Sequence, residues 1–306
     1  MNAFQSLPGP LQGVLSLLGL FLNTVFWCLP LFAVTFIKLV VPTPAWYRLW
    51  GAVLNRIATN WVYCNNLIIR LTKSIRWEVS GLNDLAERGW YLVLANHQSW
   101  LDIVVLQKVF YRRIPFLKFF LKKELIWVPL LGQAWWALDF PFMKRHSRAY
   151  LEKHPERKGQ DLETTRKACA KFKHLPVAIM NFVEGTRYNP EKARRQKTPY
   201  ARLLKPKAAG VAFVLGAMGE HLTRILNVTI SYPQGEKSLW DFMCGRVRRI
   251  KVDVEVIPIT RDLLGDYFND RDFQGRFQDW LNEIWARKDK LLEASENQGA
   301  LAEPGT

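Results

Sequence analysis

Near its N-terminus the chain has a long stretch, Leu11 to Ile37, without a charged residue. A helix that crosses a bilayer needs about 20 apolar residues, so this stretch is long enough to enter a membrane. Pro30 divides it, which leaves two forms open: one kinked helix or a shallow helical hairpin. A signal peptide is a third form, but the stretch has no basic residue before it and no small-residue cleavage site. We therefore predict a retained membrane anchor over residues 1–45.

The charges that flank this stretch are asymmetric. Residues 1–37 contain no Lys or Arg, whereas several basic residues follow before the first acid, Glu78. Positive charge beside a membrane segment favours the cytoplasmic side, so we expect the rest of the chain to face the cytoplasm, at the inner membrane in a bacterium. Residues 46–80 begin as an amphipathic helix with Trp and Tyr at its edges, typical of either an interfacial segment or a core helix. We assign this range to the membrane interface.

The remainder of the chain alternates between apolar runs and helical patterns. Such alternation predicts an α/β fold, with a mixed, largely parallel sheet flanked by helices over residues 81–293. We expect the polar residues 294–306 to form a disordered tail. Ligands of such sheets gather beyond the strand ends. The predicted strands are 90–95, 140–143, 177–183, 226–232 and 252–257.

His97 and Asp102 directly follow the first of these strands. If His97 lies in the strand-to-helix turn and Asp102 in the first helical turn, the carboxylate can reach an imidazole nitrogen. That contact would fix the tautomer and leave the other nitrogen free to act as a base. A local capping contact is the alternative interpretation of the same spacing.

A second polar segment, Glu184 to Arg187, follows the strand at 177–183. Gly185 allows a tight turn and close approach of the backbone to a ligand. Thr186 adds a hydroxyl group, and Arg187 offers a planar fork suited to phosphate. Arg145, after the strand at 140–143, is a further candidate phosphate ligand. A salt-bridged turn and a solvated surface charge are the alternative interpretations.

The charge of the chain predicts an anionic partner. The formal net charge is +16, and residues 187–207 hold eight basic residues against one acid. Beside a membrane anchor, attraction to anionic lipid explains this loop better than nucleic acid, which favours aromatic interleaving in a soluble chain. The four cysteines form no CxxC pair and fit no zinc site, and the usual nucleotide-binding glycine motifs are absent. We therefore expect neither a metal nor a cofactor.

The order of these motifs resembles the glycerolipid acyltransferase family, which includes the lysophosphatidic acid acyltransferases. The NHxxxxD segment at 96–102 and the EGTR segment at 184–187 carry the resemblance, which spans roughly residues 90–235. The second family block corresponds to residues 139–145, where Asp139 replaces a common glycine. Val183 stands where proline is usual. The stretches KKELIWVPLLG and EGTRYNPEK are most similar to the branch with the lysocardiolipin-type enzymes.

The resemblance implies a membrane enzyme and a role for each site residue. His97 would deprotonate a glycerol hydroxyl of a lysophospholipid, and that oxygen would attack an acyl thioester directly. Asp102 would orient His97. The acceptor's phosphate would be bound by Arg145, Glu184, Gly185, Thr186 and Arg187. The donor would be acyl-CoA or acyl carrier protein, with coenzyme A phosphates or the acidic carrier suited to the basic surface.

Several functions remain open at this stage. The acceptor implied most directly is 1-acylglycerol-3-phosphate, acylated at sn-2, with lysophosphatidylglycerol or lysocardiolipin as alternatives. A thioester hydrolase would use water in place of the alcohol. A membrane-tethered protein that binds polyanions is a different class, but it leaves the two motifs unexplained.

Overall fold

A six-stranded, mostly parallel sheet lies at the centre of this computed structural model, which describes residues 4–143, 172, 175–235 and 238–302. The strands of both sheets are β1 (Arg76–Ser80), β2 (Tyr91–Ala95), β3 (Leu117–Phe119), β4 (Leu121–Lys122), β5 (Phe142–Met143), β6 (Ala178–Phe182), β7 (Arg224–Ser231) and β8 (Arg249–Pro258). The order in the large sheet is β1, β8, β7, β2, β6, β3, and β4 pairs with β5 separately. Strands β7 and β8 run antiparallel, and the other neighbouring pairs are parallel. The predicted α/β fold is confirmed.

Helices flank the sheet and precede it. They are α1 (Gly9–Val40), α2 (Pro44–Thr72), α3 (Leu101–Phe110), α4 (Leu131–Ala137), α5 (Pro190–Gln196), α6 (Ala208–Met218), α7 (Leu239–Met243) and α8 (Arg271–Ala302). Short 3-10 helices span Lys123–Trp127 and Arg261–Leu263. The side chains of β2 alternate between two cores, as expected for a strand covered on both faces. Leu92 and Leu94 pack with α6 and α8, whereas Val93 and Ala95 pack with α3.

Three boundaries differ from the sequence expectations. Residues 76–80 are a sheet strand, not part of the helical segment, and Glu78 pairs with Arg249 of β8 at 2.7 Å. The basic stretch before residue 207 contains helix α5, because the Asn189 side chain accepts hydrogen bonds from the first free N–H groups. Helix α8 continues past residue 294, where we expected disorder, since Ser295 is buried and its hydroxyl lies 2.6 Å from that of Ser231.

The predicted N-terminal anchor is one continuous helix that passes through Pro30. In the described part of the chain it is the one helix long and apolar enough to cross a membrane. It packs along α2, and polar side chains join the two helices: Asn23 Nδ2 donates to Asn65 Oδ1 at 2.8 Å, and Trp61 Nε1 to Thr24 Oγ1 at 3.1 Å. The two helices therefore form a pair in which α1 keeps a broad exposed apolar face.

Both ends of α1 are fixed to the rest of the protein. At the N-terminal end Ser16 Oγ accepts a 2.7 Å hydrogen bond from Lys73, and Gly13 packs so closely on Cys244 that a Cβ would lie 2.9 Å from its sulfur. At the C-terminal end Lys38 pairs with Asp139 at 2.6 Å. Asp139 has φ +59°, a conformation that glycine adopts without strain, which fits the glycine that the resemblance implies at this position.

The amide of Asn96 extends the pairing of β2 with β7 by one residue. Its Nδ2 donates to the carbonyl of Ile230 and its Oδ1 accepts from the N–H of the same residue, both at 2.9 Å. Asn96 is fully buried, so these two bonds satisfy both backbone groups of Ile230 away from water. The side chain thus fixes the end of β2 immediately before His97.

We expect Asn96→Ala to lower the free energy of unfolding by about 2 to 5 kcal/mol, because it leaves a buried donor and a buried acceptor unsatisfied. Thermal unfolding of the detergent-solubilised protein would measure the loss. Asn227→Ala is the matched control: Asn227 is also buried in β7, but its amide nitrogen has one partner, Glu255, and its amide oxygen has none among the described residues. Equal losses in the two variants would contradict the role given to Asn96.

Candidate active site

The carboxylate of Asp102 holds the imidazole of His97. Because β2 ends at Ala95 and α3 begins at Leu101, Asp102 lies in the first helical turn, and its Oδ2 is 2.9 Å from His97 Nδ1. The same oxygen accepts hydrogen bonds from the backbone N–H groups of Gln98 at 2.7 Å and Ser99 at 2.9 Å. An ionised carboxylate is an acceptor only, so Nδ1 carries the proton and Nε2 keeps a free lone pair.

Tyr232 provides the second side-chain partner of Asp102. Its hydroxyl donates a 2.6 Å hydrogen bond to Asp102 Oδ1, and both residues are buried. Burial and the nearby carboxylate raise the pKa of Tyr232 well above its usual value, so the phenol remains a donor. Tyr232 was not identified from the sequence, because the strand predicted over 226–232 included it, whereas in the structure β7 ends at Ser231 and Tyr232 follows the strand.

Phe182 stacks against the imidazole ring. The ring centroids of His97 and Phe182 are 3.8 Å apart and their planes are 15° from parallel. Phe182 ends β6 and lies beside Ala95 in the sheet register, so the sheet itself brings the two rings together. The ring of His97 is therefore held by a hydrogen bond at one edge and by an aromatic face. From the sequence, Phe182 was only one residue of the strand predicted over 177–183.

Glu184 is directed into the protein and not into the cavity beside His97. It is fully buried, and its two carboxylate oxygens accept from the backbone N–H groups of His97 at 3.0 Å and Leu204 at 2.9 Å. Burial raises the pKa of Glu184 to about 7, against the opposing effect of these hydrogen bonds. The carboxylate thus connects its own turn to the segments that contain His97 and Leu204. Of the four residues of the EGTR segment, Gly185, Thr186 and Arg187 line the cavity and Glu184 does not.

Gly185, Thr186 and Arg187 form the rim beside His97. Gly185 has φ +70°, a conformation that glycine adopts without strain, as the sequence led us to expect for a tight turn. The guanidinium of Arg187 lies 4.9 Å from the ring centre of Trp100, a cation–π contact. The ring of Trp100 thus supports the Arg187 side chain at the rim. Arg145, the remaining predicted phosphate ligand, lies outside the described residues.

A cavity of about 1200 Å³ connects this rim to the N-terminal helices. His97 lines it together with three basic residues, Lys122, Arg187 and Lys207, and a larger number of apolar residues. The apolar lining includes residues of α1, α2, α3 and α4, such as Leu20, Leu31, Ile57, Val104 and Ala134. The volume exceeds the roughly 300 to 1000 Å³ typical of small-ligand sites, so a long acyl chain can lie next to the imidazole. Among the described residues, no cluster of His, Cys, Asp or Glu could hold a metal ion.

The comparisons with known proteins agree with this geometry. The family model Acyltransferase matches residues 76–260, and the chain belongs to that family. The resemblance expected from the motifs is thereby confirmed.

The chain is also similar to individual proteins. It is 23% identical over 223 residues to mouse 1-acyl-sn-glycerol-3-phosphate acyltransferase epsilon, covering 66% of this chain and 56% of that protein. It is 23% identical over 254 residues to 2-acyl-1-lysophosphatidylinositol acyltransferase of Saccharomyces cerevisiae, covering 70% and 64%. The matches thus span less than two thirds of these relatives. The crystal structure of PlsC, the 1-acyl-sn-glycerophosphate acyltransferase of Thermotoga maritima, has the same fold, with TM-score 0.51, 17% identity and coverage of 94% and 98%.

We expect Tyr232→Phe to lower kcat about tenfold or more while the KM values for both substrates stay unchanged, because a hydrogen bond to a charged group contributes about 1.5 to 3 kcal/mol. Acyl transfer at saturating substrate would measure this. Tyr91→Phe is the matched control, since the buried Tyr91 hydroxyl accepts from the N–H of Ala86 and does not contact Asp102. A raised KM with unchanged kcat would contradict a role through His97.

Proposed function

We propose that the protein transfers an acyl chain from a thioester, acyl-CoA or acyl carrier protein, to the free glycerol hydroxyl of a lysophospholipid. The observation that carries this proposal is the His97–Asp102 pair, whose imidazole lines a mostly apolar cavity that also contains basic residues. The acceptor favoured by the motifs is 1-acylglycerol-3-phosphate, which would give phosphatidic acid.

In this mechanism His97 is the base. Its Nε2 takes the proton of the glycerol hydroxyl, and the oxygen forms a bond to the thioester carbonyl carbon. The tetrahedral intermediate then expels the thiolate by breaking the carbon–sulfur bond, and the imidazolium returns the proton to sulfur. Asp102 stabilises the imidazolium between these steps. The products are an ester and a free thiol, with no acyl-enzyme.

We expect His97→Ala to reduce acyl transfer by about 10² to 10⁴, the usual contribution of a general base. Transfer of a labelled acyl chain from acyl-CoA to 1-acylglycerol-3-phosphate would be measured in detergent. His221→Ala is the control, because His221 follows helix α6 and does not line the cavity. Undiminished turnover by His97→Ala would defeat the mechanism, as would an acyl adduct on intact protein incubated with the donor alone.

A second acceptor class has a specific observation in its favour. One relative is named as a lysophosphatidylinositol acyltransferase, whose acceptor carries a phosphodiester headgroup. Competition between 1-acylglycerol-3-phosphate and a lysophospholipid with a phosphodiester headgroup would distinguish the two. Release of free fatty acid without any acceptor would instead indicate a thioester hydrolase.

We also propose that α1 lies along one leaflet with its exposed apolar face in lipid. Its two attachment points, Ser16 and Lys38, are 22 residues apart, about 33 Å at 1.5 Å per residue, and both contact the same domain. That length matches the roughly 30 Å hydrocarbon core, so a perpendicular helix would require parts of one compact domain on both sides of the membrane. The basic residues after residue 37 favour the cytoplasmic leaflet.

This orientation predicts that both ends of α1 face the same compartment. In sealed inverted vesicles, a membrane-impermeant maleimide should label Ser6→Cys and Thr43→Cys equally from outside, because both positions are exposed and flank α1. The unsubstituted protein gives the background from the native cysteines. Labelling of one position only after the vesicles are opened would show that α1 spans the bilayer.

A further inference from the structure

Lys207 is a basic residue in the wall of the cavity. Neither the family motifs nor the His97–Asp102 pair assigns it a role. It lines the same cavity as His97 and Arg187. Its backbone N–H donates a 2.9 Å hydrogen bond to the carbonyl of Val183, which holds it against the turn at residues 184–187. In the sequence it is one of eight basic residues between 187 and 207, and nothing in the pattern distinguishes it from the other seven.

The position of the Lys207 side chain is coupled to Gly185. A Cβ at residue 185 would lie 3.1 Å from Lys207 Nζ and 3.3 Å from its Cδ, closer than ordinary van der Waals contact. Glycine therefore does more than permit φ +70°, because it also leaves the space that the lysine side chain occupies. The ammonium group consequently lies across the turn that carries Arg187.

Lys207 and Arg187 are both available to an anion. Both residues are exposed. Within the part of the chain that the structure describes, neither forms an ion pair with a carboxylate. The nearby Lys192 differs, since its ammonium donates to Thr186 Oγ1 at 2.9 Å and to the carbonyl of Arg187 at 3.3 Å. Arg187 is further held by its contact with the ring of Trp100. Arg187 and Lys207 thus bring two positive charges, without a carboxylate partner among the described residues, to the turn at residues 184–187, and they suit a group with two negative charges.

We propose that Lys207 is a specificity-determining residue that, together with Arg187, binds a phosphomonoester on the acceptor and favours it over a phosphodiester. This inference rests on the proposed function and adds the choice of headgroup to it. A phosphomonoester carries about −1.5 to −2 charges near neutral pH, by analogy with phosphorylated side chains, whereas a diester carries a single charge. A guanidinium fork and a point charge can neutralise the former together.

The test measures dissociation constants without turnover. Tryptophan fluorescence would follow the binding of 1-acylglycerol-3-phosphate, of 1-acylglycerophosphoglycerol with the same chain, and of coenzyme A, each in detergent. We expect Lys207→Met to weaken binding of the monoester roughly ten- to hundredfold, as for loss of a charged hydrogen bond, with a much smaller effect on the diester and none on coenzyme A. Lys207→Arg should restore most of the affinity.

Lys205→Met is the matched control. It removes the same charge two residues earlier, from an exposed lysine that does not line the cavity. The proposal is overturned if Lys205→Met and Lys207→Met weaken binding equally, if both acceptors weaken alike, or if coenzyme A binding is the one that falls. If the unsubstituted protein transfers no acyl chain to any lysophospholipid, the proposed function is wrong. If Lys207→Met binds the monoester as tightly as the unsubstituted protein does, only this inference is wrong.

Discussion

The buried carboxylate of Asp102 is the constraint on which the rest of the site depends. Removing a carboxylate from water costs several kcal/mol unless charged or polar partners compensate. Here Asp102 is fully buried and receives hydrogen bonds from His97, Gln98, Ser99 and Tyr232. The first three belong to the turn after β2, and the fourth follows β7. The carboxylate is therefore satisfied only when these two neighbouring strands are correctly aligned, which links the geometry of the imidazole to the register of the sheet.

A second buried carboxylate, that of Glu184, extends the network to the third segment of the site. Its two oxygens accept hydrogen bonds from the backbone N–H groups of His97 and Leu204, so it connects the rim to the turn that carries the imidazole. Burial raises the pKa of Glu184, and the buried ammonium of Lys288 on α8 partly offsets that rise. Burial in turn lowers the pKa of Lys288 to about 7, while its ammonium donates to the carbonyl of Val228. The last helix thus supports the site from beneath the sheet.

The N-terminal helices α1 and α2 line the cavity of the site, and we propose that α1 also attaches the protein to the membrane. Residues of α1 and α2 form part of the apolar lining of the cavity, and the outer face of α1 is exposed and apolar. The ion pair of Lys38 with Asp139 and the hydrogen bond of Lys73 with Ser16 fix both ends of α1. Under the proposed function, the acyl chain would lie against this apolar lining and the acceptor's headgroup near Arg187, in the cavity that His97 also lines.

The sequence by itself determined the fold class, the apolar N-terminal helix, and the His97–Asp102 contact, because each depends on local pattern: strand periodicity, an uncharged stretch, and a spacing across one turn. The family could also be recognised from the sequence, because two short segments, residues 96–102 and 184–187, carry its motifs. Only the tertiary structure decided that Tyr232 supports Asp102 and that Glu184 is directed inward to the backbone. It also decided that Lys207 lies beside Gly185. These contacts join residues that are distant in the chain. They depend on the order of the strands in the sheet and on burial, neither of which can be deduced from the spacing of residues in the sequence.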